Sequence, residues 1–105
     1  MAQNFRMDLA TQLVIATSAV DASVTIPKQG PGNFPTTKYG SWWKIGVAGQ
    51  PAYINVNAAA TSANILFPIG IYDDPVWLDE GSVVHAITAA GSGQVWFVRC
   101  YLTMV

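Results

Sequence analysis

The chain is 105 residues long and 51% hydrophobic, yet only 10% charged, with five Lys and Arg against six Asp and Glu and a net charge of −1. That length fits one domain, and the charged share is far below the roughly 25% of an ordinary soluble domain. So few scattered cations exclude a phosphate-tracking nucleic-acid surface, one cysteine excludes a disulfide framework, and no apolar run approaches the ~18 residues of a membrane span.

A chain so short of charge must expose neutral or apolar surface, as proteins covered by partners do. Met1 to Ala10 shows no clean period and reads as an N-terminal arm, either extended against a neighbour or, the more usual outcome, a frayed terminus, with a β-sandwich domain over 11–105. No basic stretch precedes an apolar one, so no secretory signal is expected and folding is expected in a cytosol.

Thr11 to Val20 alternates, with Leu13 and Ile15 on one face, and predicts a strand. Asp21-Ala22 reads as a turn. Ser23 to Ile26 is a short strand ended by Pro27, which has no N–H for a central ladder. Lys28 to Gly40, KQGPGNFPTTKYG, is a long loop that carries Phe34 and Tyr39. Loops of this length inside a compact domain are usually functional. Ser41 to Ala48 predicts a strand with Trp42 and Lys44 on one face and Trp43 and Ile45 on the other. A hairpin through Ala48-Gly49-Gln50-Pro51 leads to Ala52 to Asn57, where Ile54 and Val56 face the core.

Ala58 to Asn64 is too short for a stable helix and reads as a loop. Ile65 to Ile71, broken by Pro68 and Gly70, is an edge strand at best. Turns at Tyr72-Asp73-Asp74-Pro75 and Asp79-Glu80-Gly81 bracket a short strand, Val76 to Leu78. Ser82 to Ala89 and Gln94 to Leu102 read as the two arms of a hairpin turned by Ala90-Gly91-Ser92-Gly93. In the second arm Trp96, Val98, Cys100 and Leu102 share one face, and Val95, Phe97, Arg99 and Tyr101 the other. Both faces are largely apolar, so each needs a cover: the domain's second sheet for one and a neighbouring subunit for the other. Strands broken by turn signals every eight to twelve residues point to an all-β, antiparallel sandwich or barrel.

The catalytic inventory is thin. His85 is the only histidine, mid-strand beside Val83 and Ile87, and no Ser-His-Asp spacing is evident. It reads as a structural histidine. Cys100 and His85 cannot complete a tetrahedral metal site. The acidic pairs Asp73-Asp74 and Asp79-Glu80 lack the spacing of a calcium loop and read as solvated turns. No catalytic residue, metal or other cofactor is expected, and the chain is not read as an enzyme. The aromatics carry more. Trp43 and Trp96 are expected in the core, whereas Trp42 must face away from Trp43. Phe34, Tyr39, Trp42, Phe97 and Tyr101 are the expected interface residues, because Trp, Tyr and Phe are enriched in interface cores.

The run PAYINVNAAATSA, an apolar strand, an acidic Gly turn and then VVHAITAAGSGQVWFVRCY resembles small structural proteins of tailed bacteriophages. The likeness spans about Trp42 to Tyr101 and departs at the long aromatic loop of 28–43. It implies a jelly-roll-like β-sandwich and the role of a capsid decoration (cement or head) protein: a structural virion protein on the capsid surface that self-associates as a homotrimer and docks on the major capsid protein. It would assemble in a bacterial cytoplasm, with no nucleic-acid or membrane partner. The alternative is a tail or fibre component, or a glycan-binding receptor module using the aromatics near 34–43.

Overall fold

The computed structural model describes residues 3–27 and 40–104, with backbone alone for 3–5 and 101–104. Among these residues nine strands form, in the order β1 (Gln3–Thr17), β2 (Ala22–Thr25), β3 (Gly40–Ala48), β4 (Ala52–Val56), β5 (Leu66–Phe67), β6 (Gly70–Ile71), β7 (Val76–Asp79), β8 (Val83–Thr88) and β9 (Gly93–Met104). They make two antiparallel sheets. The five-stranded sheet runs β1-β9-β3-β6, with β7 also on β3, and the four-stranded sheet runs β2-β8-β4-β5. The protein is an all-β sandwich, as its strand and turn pattern predicts.

The alternation of apolar residues sets the inner layer. Ile15 of β1, Trp43, Ile45 and Val47 of β3, and Val95 and Phe97 of β9 point inward from the larger sheet. Ala52 of β4 with Val84 and Ala86 of β8 meets them from the smaller one. Trp43 and Phe97 are fully buried. Each ring removes about 150–250 Å² from water, a large share of what a domain this small has to hold it together. The Trp43 indole N–H is buried without an acceptor among the described residues.

Two expected hairpins are instead connections between sheets. β8 pairs with β2 and β4, and β9 with β1 and β3, so the arms over 82–102 face each other across the core rather than sharing a ladder. β3 and β4 are likewise in different sheets. The glycines read as hairpin glycines serve a different purpose. Gly49 and Gly91 sit at positive φ, 81° and 70°. A β-carbon on Gly49 would come 2.8 Å from the Gly93 Cα, so the two arches touch backbone to backbone at one end of the sandwich.

The run 65–71 splits between the sheets. Pro68 interrupts it, leaving β5 at the edge of the smaller sheet and β6 at the edge of the larger. Tyr72 closes this side: its hydroxyl donates to Pro68 O at 2.6 Å and its ring meets Phe67 edge-on, centroids 5.4 Å apart.

From Gln3 onward the segment expected as an arm is the first half of β1, paired with β9 of the same chain. A bulge between Asp8 and Gln12 divides β1. Asp8 holds it, accepting the Ala10 N–H at 3.1 Å and the Thr11 hydroxyl at 2.8 Å.

Candidate functional site: the outer face of the five-stranded sheet

Directly opposed residues in antiparallel strands share a face. The registers therefore lay out the side of the larger sheet that faces away from the core in rows, four of which make up its centre. Met7, Cys100, Trp42 and Trp77 form the first, and Gln12, Val98 and Lys44 the second. Val14, Trp96, Gly46 and Ile71 form the third, and Ala16, Gln94 and Ala48 the fourth. Lys44 is the only charged residue in these four rows, and the next row beyond Trp42 and Trp77 adds Gly40 and the exposed Asp79.

This face is apolar although no part of the described chain forms a third layer on it. Val98 and Cys100 are 5% and 3% exposed, lying low between larger neighbours. Met7, Val14 and Trp77 are each 50% exposed and Ile71 68%. Trp77 stands edge-on to Trp42 with ring centroids 5.3 Å apart, and its Nε1 donates to Asp79 at 3.0 Å. A β-carbon on Gly40 would lie 2.6 Å from Trp77 Cε2, and one on Gly46 would overlap the ring of Trp96. Two tryptophans thus lie against glycines of β3, which gives the face a rigid aromatic relief.

Trp42 stands where its alternation with Trp43 places it, on the outward side of β3. Phe97 does not: expected at an interface, it is 0% exposed inside this chain's own core. Trp96, expected in the core, is the outward residue of that pair, half-buried over Gly46. The parity of β9 against β3 decides both, since Ile45 opposes Phe97 and Gly46 opposes Trp96. Tyr101 pairs with Arg6 in the β1–β9 ladder, and its side chain lies outside the described residues. Phe34 and Tyr39 also lie outside them. Trp77 was missing from the expected set. Its alternation with Val76 and Leu78 was the available signal.

Cys100 is raised above its ordinary pKa, chiefly by burial, so its thiol stays protonated at neutral pH. On the other sheet, His85 Nδ1 and Asp21 Oδ2 are 2.7 Å apart. Asp21 Oδ1 also accepts the Ala60 N–H at 3.0 Å. The His85 and Ala60 hydrogen bonds hold the Asp21 carboxyl below its ordinary value. Ser23 opposes His85 in register. The Asp21–His85 pair ties the chain ahead of β2 to β8 and to the loop after β4. No group of three or more His, Cys, Asp and Glu side chains with metal-binding geometry forms among the described residues.

Compared with known protein families, with curated proteins and with solved structures, the chain matches none.

Proposed function

We propose that this is a structural contact protein, a capsid decoration protein of the tailed-bacteriophage kind that its sequence resembles. It self-associates as a homotrimer and docks on the major capsid protein. The observation that carries the reading is the outer face of the five-stranded sheet: three tryptophans, Met7, Val14 and Ile71 around one lysine, with Asp79 at the edge and no covering layer of described residues. Aromatic-rich, charge-poor faces are the composition of interface cores. The chain makes no reaction of its own in this reading; it works by burying surface at a junction and so stabilising the assembled state by mass action.

The strand order supports the jelly-roll form of the sandwich. Every connection except β4 to β5 and β6 to β7 passes from one sheet to the other. Jelly rolls recur in viral capsid and lectin domains, an analogy of fold rather than of site. The end of the β1–β9 ribbon adds support. Beyond Arg6 and Tyr101 the described residues place no third strand beside it, and two-stranded ribbons are marginal alone in water.

A glycan-binding module is the second reading, favoured by the half-exposed Trp77 with Asp79 fixed beside it. Quantitative mass spectrometry of purified particles against the major shell protein separates the two. A copy number within a small factor of the shell protein is expected. A handful of copies would move the protein to the tail and favour glycan binding, and absence from particles would overturn the virion reading.

A further inference from the structure

A second feature has nothing to do with the outer face. On the side where β4 and β5 of one sheet meet β3 and β7 of the other, the sandwich is open, and a cavity of about 370 Å³ enters the core there. Its floor is Ile45, Val84 and Phe97, which are 6%, 0% and 0% exposed. Its lips are Val56, Ile65 and Val76, which are 41%, 76% and 37% exposed. Among the described residues, the only polar side chains in its wall are Asn55 and Asn64.

We propose that this cavity binds a small neutral molecule with an apolar body of about two fused rings and one hydrogen-bond acceptor. Size sets the first part. An apolar cavity of about 150 Å³ holds benzene, and ligand pockets begin near 300 Å³. The closed floor admits a ring end-on and stops an extended peptide from passing through. Charge sets the second. No charged side chain among the described residues lines the wall, so an ionised head group would be buried there without a partner, at high cost.

Hydrogen bonding sets the third. Asn55 is already used, accepting the Val56 N–H at 2.9 Å and donating to Ala59 O at 3.2 Å. Asn64 accepts the Thr61 N–H through Oδ1 at 2.7 Å, which fixes its amide and leaves Nδ2 as the donor to spare. The wall is preformed. Asn57, at φ 63°, donates its N–H to Val83 O at 2.7 Å and accepts the Val83 N–H at 2.9 Å, and Ala60 is tied to Asp21. A rigid wall loses little entropy on binding.

The test uses a neutral 6-acyl-2-dimethylaminonaphthalene dye, a naphthyl ketone whose emission moves to the blue in apolar surroundings. Saturable one-to-one binding with blue-shifted emission is expected. Val56→Trp fills the mouth from a position already exposed and should abolish binding, and Ile65→Trp, at a second exposed lip position, should do the same if the first variant does not fold. Asn64→Asp keeps the acceptor for Thr61 N–H but removes the donor, and should weaken binding roughly tenfold or more. Trp77→Ser, on the outer face, should leave it unchanged. Absence of saturable binding overturns the proposal. So does binding that survives both filling variants, ignores Asn64→Asp or is lost with Trp77→Ser.

Discussion

Gly46 lies directly beneath the ring of Trp96: a β-carbon on Gly46 would overlap the Cζ2 and Cε2 atoms of that ring. Glycine in a strand interior normally weakens the strand by roughly 0.5–1 kcal/mol relative to alanine. Here the sign reverses, because the methyl would displace the indole. Gly46→Ala is expected to destabilise the fold by about 1–3 kcal/mol. In a Trp96→Ala background the same change should cost little or stabilise. Chemical denaturation of the four proteins of this cycle reads the coupling directly.

Phe97 is the opposite case, an aromatic wholly inside the fold. Phe97→Ala should cost about 3–5 kcal/mol, a large part of the stability of a domain this small. Were Phe97 a partner contact, the isolated protein would keep its melting temperature and lose only association.

Asp21 gives the fold an acid limb. Its carboxyl is held below its ordinary value of 3.8, first by the His85 hydrogen bond and then by the Ala60 N–H. A depressed carboxyl contributes stability that is complete above its unfolded pKa and is lost as pH falls through its folded one. The loss should therefore fall below about pH 4. Thermal melts from pH 7 to pH 2 should show it, and Asp21→Asn should be less stable at neutral pH with a shallower acid limb.

Cys100 is 3% exposed, and burial raises its pKa. The thiolate is the nucleophile, so a buried protonated thiol reacts slowly. An aromatic disulfide reagent should modify the native protein only as fast as it opens, and completely in denaturant. Rapid reaction at neutral pH without denaturant would contradict the burial.

Much of this fold was legible locally. Alternation gives the strand at 40–48 and places Trp43 inward and Trp42 outward, while Pro68 marks the break between β5 and β6. The sheet to which each strand belongs was not legible. The turns at 48–51 and 89–93 carry the same glycines whether their arms pair edge to edge or pack face to face, and only long-range registers decide. The inward face of β9 was hidden for a related reason: Trp96 and Phe97 are both large and apolar, and the choice rests on Gly46 leaving room for one of them across the ladder. The Asp21–His85 pair joins residues 64 positions apart and leaves no local mark. Of the expected contact residues, Trp42 is on the outer face and Phe97 is in the core. Trp77 joins the face through its register with Trp42.

The central claim is that the outer face of the five-stranded sheet is buried by association. Sedimentation velocity over a rising concentration series, comparing the protein with Trp77→Ser, tests it most directly. Trp77 is half-exposed and outside the core, so its loss should leave the circular dichroism spectrum and cooperative melting in place. The account predicts a mass of three chains for the parent protein and a shift to monomer for the variant. A parent protein that stays monomeric at every concentration, or a variant that associates as well as the parent, would contradict it.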